Sequence, residues 1–294
     1  MQRFFLPFSR LRTGMPPRKR RAAGLAALAL LPMAAQARDA AGACLEAPPP
    51  EAVLVRSVTD EAEFVLDDGR KILLSGVAFP DEALAVSIAR PLIEQGGIRL
   101  AKAGDAADRW GRYRGHLATG GGTVSLAEPL IGAGAGLLDS RDVVSPAAKR
   151  AARGVGISAA CAGRLAALEE NARRTRAGIW GGANALPLDA RNAALLQRFA
   201  GRFVIVEGKV LSVGERRTTT FLNFGPNWQR DFYVMIARKD WHRLAGGLTT
   251  AGIAGRRIAV RGEILLREDS EAQAGRAPAI RISAAGSLAW SQPD

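Results

Sequence analysis

Apolar and polar residues alternate along residues 53–77 with the period of two that is typical of half-buried strands. Turn-forming TDE and DDG segments interrupt the alternation, so several short strands are predicted. Apolar residues then recur at helical spacing through residues 81–97, although Pro91 is expected to kink or break that helix. A short strand, a turn and another strand follow, and residues 125–138 and 158–176 have a helical pattern. The predicted order is strands, helix, strands, helix.

The second half of the chain begins after residues 183–200, a stretch that we interpret as a linker. Alternation resumes at Phe203 and predicts three strands, a short helix at residues 239–248 and two more strands. This order is typical of an OB-like barrel. The predicted fold class is mainly β with helices (α+β), with two small OB-like barrels in series at residues 53–182 and 201–290.

The first 37 residues have the composition of a secretory signal. The basic run RKRR at residues 18–21 precedes a short apolar run at residues 22–35, and small residues follow, so cleavage is expected after Ala37. The apolar run is shorter than the roughly 20 residues that span a bilayer. We expect an exported protein, periplasmic or secreted, with no membrane span after signal cleavage. An uncleaved amphipathic arm is the alternative.

The formal net charge of the whole chain is +13, but much of it belongs to the signal segment. Residues 1–37 hold 7 basic residues and no acid, so the mature chain carries +6. A charge of this sign favours an anionic partner such as nucleic acid or a membrane surface, although many solvated surfaces are equally basic.

Both cysteines, Cys44 and Cys161, lie in the part that would be exported, where a disulfide between them is expected. The chain-entropy model assigns about 4 to 5 kcal/mol to a bridge that closes so long a loop. Cys161 also shares an apolar helical stripe with Leu165 and Leu168, so a buried free thiol is the alternative.

Familiar catalytic patterns are not evident in the sequence. His116 and His242 are far apart and have no neighbouring ligand residues, which argues against a metal or triad role. The sequence has no nucleophile motif, phosphate-binding glycine loop or dinucleotide fingerprint.

Three segments, in order, carry a resemblance to a known family: VTDEAEFVLDDGRKILLSGVAFPDE at 58–82, DRWGR at 108–112 and LEENARRTRAGIW at 168–180. Over residues 53–182 the chain resembles the staphylococcal nuclease (thermonuclease) family, whose fold is an OB-type barrel with helices. The resemblance implies calcium-dependent phosphodiester cleavage. In that chemistry carboxylates hold the cation, arginines stabilise the phosphate charge, and a glutamate activates or orders water.

Most positions of that catalytic set are substituted here. The two metal-binding aspartates fall on Ala62 and Ala78, and the first arginine falls on Leu73. The glutamate falls on Asp81, which is shorter by one methylene, and only the second arginine is kept, as Arg112. A misplacement of about 1 Å can cost roughly a hundredfold in rate, and alanine supplies no ligand to a hard cation. Arg112 and Asp81 are the catalytic candidates of a degenerate site.

We predict no metal site and no cofactor, with calcium bound only if other acids rebuild the site. Asp60 and Glu63 are the candidates for such a rescue. In a strand the neighbours of Ala62 point to the opposite face, so a rescue requires a register shift or a bulge.

The DRWGR segment has two interpretations. In the structural one, Asp108 caps the turn, Trp110 packs on the barrel, Gly111 takes a positive φ and Arg112 pairs with Asp108 or a helix end. In the functional one, the segment binds phosphate through Arg109, Arg112 and Arg114.

Aromatic residues and a cation also mix at TTTFLNFGPNWQRDFYV in the second half. Phe224, Trp228 and Tyr233, together with Arg230, would suit stacking of single-stranded nucleic acid on an OB surface. The alternative is a buried strand face followed by a turn. A similar segment occurs in the extra C-terminal domain of exported thermonuclease-like proteins.

Three functions remain. The preferred one is an exported thermonuclease-like protein that binds single-stranded nucleic acid or another anionic polymer without efficient cleavage. The second is an active phosphodiesterase with an altered carboxylate site, marked by Asp60, Glu63 and Asp81 near Arg112. The third is an envelope interaction scaffold.

Overall fold

A computed structural model describes residues 44–45, 53–119, 124–144, 156–245, 248–266 and 276–290. The predicted signal segment, residues 1–37, lies outside them. The chain has a mixed α+β fold with more strands than helices, as the alternation predicts. Within the described part, no helix is long and apolar enough to cross a membrane.

The strands form two main sheets and a small two-stranded one. The strands are β1 Val55–Val58, β2 Phe64–Leu66, β3 Lys71–Leu74, β4 Val77–Ala78, β5 Arg99–Ala103, β6 Arg112–Thr119, β7 Val124–Ser125, β8 Leu137–Leu138, β9 Leu188–Asp189, β10 Phe203–Lys209, β11 Ser212–Glu215, β12 Thr219–Asn223, β13 Tyr233–Ala237, β14 Arg257–Leu266, β15 Pro278–Ile282 and β16 Leu288–Trp290.

The helices are short except for two. They are α1 Glu82–Glu94, α2 Ala127–Gly132, α3 Ala159–Arg174, α4 Ala193–Arg198 and α5 Trp241–Leu244, with 3-10 turns at Ser140–Asp142, Gly178–Trp180 and Arg238–Asp240. Helix α1 continues through Pro91, so the break predicted there is wrong. Pro91 has no N–H to donate to the carbonyl of Ser87, so the helix lacks one hydrogen bond there, and it continues for three more residues to Glu94.

The first sheet has the order β1-β2-β3-β6-β5, with β7 attached to β6, and β3 runs parallel to β6. Its two edges meet, because Val55 N–H donates to Ile98 O (3.3 Å) and Leu100 N–H donates to Val53 O (3.1 Å). Along the chain, helix α1 follows β3 and β4 and precedes β5 and β6. The apolar core is enclosed by the curled sheet and its helices.

The second sheet repeats that order as β11-β12-β13-β15-β14-β10, again with a parallel pair, β13 and β15. Strands β10 and β11 are consecutive in the chain and separated only by Val210 and Leu211. Burial alternates along β12, where Thr220 and Leu222 face the core and Phe221 and Asn223 face outward.

The stretch predicted as a linker, residues 183–200, contains β9 and α4. Leu188 and Leu196 are buried in the core of the second sheet, and β9 pairs in parallel with β10. The side chain of Asn192 caps α4 by accepting the Leu195 N–H (3.0 Å). Leu186 is buried in the same core, so three buried leucines and a capped helix make this connection part of the folded structure.

The predicted disulfide between Cys44 and Cys161 is present. Cys161 lies in the first turn of α3, and its N–H donates to the Oγ of Ser158, the helix N-cap (3.1 Å). The bridge therefore ties the segment at Cys44, which precedes β1, to α3, the longest of the described helices.

A partly buried ion pair connects α3 to the second sheet. Arg261 of β14 donates to both carboxylate oxygens of Glu169 in α3, at 2.8 and 3.2 Å, and also to Leu138 O (3.1 Å). Glu169 accepts the Leu138 N–H as well (2.7 Å). Ala172 of α3 and Trp180 belong to the apolar core that the second sheet encloses, so the packing is continuous between the two halves.

Candidate functional site

The DRWGR turn is organised by one carboxylate. Asp108 Oδ1 accepts the backbone N–H groups of Trp110 (2.9 Å) and Arg112 (3.0 Å), and Oδ2 accepts from the Arg112 guanidinium (2.8 and 2.9 Å). Gly111 has φ +76°, which closes the turn. Desolvation raises the pKa of Asp108, but the hydrogen bonds from Arg112 and Trp110 outweigh it and hold the pKa below its usual value. The turn has the cap, the positive φ and the ion pair of the structural interpretation.

A second carboxylate also faces Arg112. Glu63 Oε1 lies 3.6 Å from Arg112 Nη1, and Glu63 Oε2 lies 2.9 Å from Lys71 Nζ. Glu63 is only 7 % exposed, so its charge is held at this position. An incoming phosphate would have to compete with Asp108 and Glu63 for the same guanidinium. The only arginine that matches the family motif therefore already has two acidic partners.

The other two arginines that were predicted to bind phosphate, Arg114 and Arg109, contact different partners. Arg114 pairs with Asp142 (2.8 Å), which also accepts the Gly76 N–H. Burial raises the pKa of Asp142, although Arg114 opposes the shift. The Arg109 guanidinium stacks on the ring of Trp110, with 3.8 Å between Cζ and the ring centroid.

Trp110 does not pack on the barrel as the structural interpretation predicted. Its side chain is 58 % exposed, with Arg109 and Arg112 (4.6 Å) over the ring. Stacking against two guanidinium groups takes the place of core contacts here.

Apolar residues occupy the neighbourhood where the resemblance implies the first metal ligand. Ala62 is 1 % exposed and packs with Ala85 and Val86 of α1 and with Ala135. Ala62 also has φ +56° and lies in a turn in which Thr59 N–H donates to Glu63 O (2.8 Å). The expected strand is interrupted at this turn, and Glu63 reaches the cations of Arg112 and Lys71.

The acidic residues that were candidates for a rebuilt calcium site do not form a cluster. Asp81 is the exposed N-cap of α1, where its Oδ1 accepts the Leu84 N–H (3.0 Å). Among the residues that the structure describes, no three His, Cys, Asp or Glu side chains lie close enough to hold a metal ion. The cluster of Asp60, Glu63 and Asp81 that would mark a rebuilt site is therefore not formed.

The second sheet carries a pocket of about 320 Å³ on its outer face. Its walls are three aromatic residues from β12, β13 and the loop between them, and polar residues complete the lining: Gly214, Arg216, Phe221, Asn223, Trp228 and Tyr233. The rings of Phe221 and Tyr233 are tilted, with centroids 5.9 Å apart. Trp228 is 54 % exposed, so the pocket presents aromatic surface to the solvent.

A tight loop positions Trp228 at the rim. Asp231 Oδ2 accepts the Asn227 N–H (2.7 Å), and Asp231 N–H donates to Asn227 O (2.8 Å). Asn227 Oδ1 also accepts the Gln229 N–H (3.0 Å). These bonds fix the backbone on both sides of the tryptophan.

Trp228 and Tyr233 line this pocket, as the stacking hypothesis requires, but two other predicted residues do not. Phe224 is 5 % exposed and packs in the core against Phe232, with centroids 5.1 Å apart, so it has no free face for a stacked base. Arg230 is exposed in the loop and is not part of the lining. The alternation along β12 accounts for the change, because Phe224 follows Leu222 on the core side.

Sequence reasoning missed Asn223 and Arg216, whereas Phe221 belongs to the aromatic segment on which the stacking hypothesis rests. The signal was available in part, since Phe221 and Asn223 share the face opposite to Leu222. Their proximity to Gly214 and Tyr233 depends on cross-strand pairing, in which Phe221 faces Gly214 and Asn223 faces Tyr233.

Positive charge is concentrated on the same half of the chain. Residues 201–290 contain 14 arginines and lysines against 8 acids, a formal charge of +6, whereas residues 38–200 contain 20 against 19. In the described part of the chain, Arg216 at the pocket has no carboxylate partner. The aromatic pocket therefore lies in the basic half of the protein.

A second cavity of about 240 Å³ lies between the two sheets. Asp81 and Leu84 line it from one side, and Phe199 and Arg202 line it from the other. Arg202 donates to Pro80 O (3.2 Å), so part of its hydrogen-bonding capacity already holds the two halves together.

No protein-family model matches this chain, and no curated protein is similar to it.

Proposed function

We propose that this chain is an exported, staphylococcal nuclease-like protein of two OB-like barrels that binds single-stranded nucleic acid, or a similar anionic polymer, without efficient cleavage. Binding takes place on the outer face of the second barrel. The aromatic pocket with Arg216 at its edge carries the proposal, because ring faces beside unneutralised positive charge are what a single strand requires.

The two-barrel architecture is supported by the shared strand order of the two sheets. Each has three antiparallel strands, a helix along the chain, and two further strands, the last of which is parallel to the third. The two edges of the first sheet are joined by hydrogen bonds. In the second sheet the edge strands β10 and β11 are consecutive in the chain, so the short connection between them joins the edges. Closed five-stranded sheets of this order are typical of OB folds.

The absence of efficient cleavage is supported by the first barrel. A calcium ion needs several oxygen ligands, and the apolar packing around Ala62 offers it no carboxylate. Arg112, which would stabilise the phosphate charge, is paired with Asp108 and Glu63. Both sources of positive charge that the family uses to stabilise the phosphate, the calcium ion and the arginine, are therefore weakened.

The test is a fluorescence titration of labelled single-stranded DNA and RNA with the purified protein. Trp228→Ala is expected to weaken binding by about 1–3 kcal/mol, roughly 5- to 150-fold, because it removes a stacking face. Trp110→Ala is the matched control, an equally exposed tryptophan on the first barrel, and its effect is expected to be small. Equal losses in the two variants would contradict a pocket on the second barrel.

The same titration at two salt concentrations tests the electrostatic part. Binding is expected to weaken with salt, and Arg216→Ala is expected to reduce the slope of log K against log salt concentration by about 0.7, the value for one phosphate contact on a single strand. A salt-independent affinity would instead favour an interaction scaffold.

A further inference from the structure

The pocket has a floor made by a glycine in regular strand conformation. Gly214 of β11 pairs with Phe221, and a Cβ placed on it would lie 3.8 Å from both Phe221 Cβ and Asn223 Nδ2. No positive φ requires glycine at this position. A glycine inside a strand often marks close approach of another group to the backbone. Here it leaves open the space between the aromatic walls.

Asn223 directs an amide into that space. Its Nδ2 donates one hydrogen to Ser212 Oγ (3.1 Å), which orients the group. Elsewhere in the part of the chain that the structure describes, the second amide hydrogen and Oδ1 have no hydrogen-bond partner. The pocket therefore offers one donor and one acceptor side by side at its wall.

The volume limits what this pair can bind. About 320 Å³ is at the lower end of the range for small-ligand sites, roughly 300–1,000 Å³, so one ring system fits better than a stack of them. Phe221 and Trp228 supply ring faces for a flat group, and Tyr233, which is only 7 % exposed, forms the wall beside Phe221. Arg216, at the same pocket, supplies charge for a phosphate attached to it.

We propose that the pocket binds one unstacked adenine base of a single strand, with Asn223 pairing to its amino group and ring nitrogen. An asparagine amide forms this two-bond contact with adenine, donating to N7 and accepting from N6. Guanine presents two acceptors on that edge and satisfies only the amide donor. Selection of adenine therefore requires that Asn223 contacts the N6/N7 edge and not the Watson–Crick edge, on which every base has a donor beside an acceptor. The inference rests on the proposed function, since it names the base that the binding face selects.

The experiment compares labelled homopolymers of deoxyadenosine, deoxycytidine and deoxythymidine, of equal length, by fluorescence anisotropy. The deoxyadenosine strand is expected to bind about tenfold more tightly than the other two. Asn223→Ala is expected to remove this preference by weakening deoxyadenosine binding about tenfold, and an unchanged thermal unfolding transition shows that the variant is folded. Gly214→Val fills the floor without backbone strain and is expected to weaken all three.

Each outcome is decisive. Equal affinity for the three strands, or a preference that persists in Asn223→Ala, would overturn the adenine assignment and leave nucleic-acid binding intact. No binding to any strand would remove both proposals. Binding of a neutral oligosaccharide that Gly214→Val abolishes would give the pocket a different class of ligand and overturn the inference.

Discussion

Restoring the aspartate that the staphylococcal nuclease resemblance implies at position 62 is expected to destabilise the protein without restoring cleavage. Ala62 is 1 % exposed and lies against Ala85, Val86 and Ala135, none of which can hydrogen-bond to a carboxylate through its side chain. An uncompensated buried charge costs about 3–5 kcal/mol. Aspartate tolerates positive φ better than alanine, which returns at most about 1 kcal/mol. The expected net loss from Ala62→Asp is about 3 kcal/mol.

The assay is thermal unfolding of Ala62→Asp beside Ala62→Asn, which has the same shape and the same tolerance of positive φ but no charge. A loss of 3 kcal/mol corresponds to about 6–12 °C in Tm for a protein of this size. Desolvation raises the pKa of a buried carboxyl, so the gap between the two variants is expected to widen as pH rises from about 4 to 7. Equal stability at pH 7, or a calcium-dependent rise in the Tm of Ala62→Asp, would refute the apolar packing argument.

Three further perturbations address other parts of the structure. Arg261→Ala is expected to lower the free energy of urea unfolding by about 3–5 kcal/mol, because Glu169, its carboxylate partner, stays buried. Arg243→Ala breaks an exposed pair with Asp240 and is expected to cost under about 1 kcal/mol. Similar losses in the two variants would contradict this expectation. Replacing both Cys44 and Cys161 by serine is expected to lower stability by about 4–5 kcal/mol, and no change on reduction of the wild type would contradict it. Burial raises the pKa of Asp142, so its ionised form is disfavoured in the folded state. The stability of the wild type relative to Asp142→Asn is therefore expected to be greatest below pH 3.8 and to fall as pH rises through the folded pKa. A difference in stability that does not change with pH would contradict the shift.

Much of the fold follows from local pattern. The strands from Phe203 to Ile282 are where period-two alternation predicts them, and α3 follows from its apolar stripe and the Ser158 cap. Pro91 does not end α1, because the helix tolerates the single hydrogen bond that the proline cannot donate. The strand and helix within residues 183–200 were not predicted because the three buried leucines, Leu186, Leu188 and Leu196, form no recognisable period.

The candidate site was less accessible to sequence reasoning. The pocket depends on strands that meet only after the sheet has formed, so Gly214, Phe221 and Asn223 carry no local signal of their joint role. The turn at Ala62 was also hidden, since EAEF reads as a continuous strand and only the folded chain places Ala62 at φ +56°. Arg112 could be located from DRWGR. Its second acidic partner, Glu63, could not be predicted, because the two residues are distant in the sequence and come together only in the folded chain.

One measurement tests binding without cleavage most directly. Labelled single-stranded DNA and RNA are incubated with the wild type, with Arg112→Ala and with Trp228→Ala, in calcium or in chelator, and both bound and cut strands are quantified. The structure predicts intact strands that the wild type and Arg112→Ala bind equally and that Trp228→Ala binds weakly. Cleavage that requires calcium and falls in Arg112→Ala would contradict the account and establish an active phosphodiesterase with a rebuilt site.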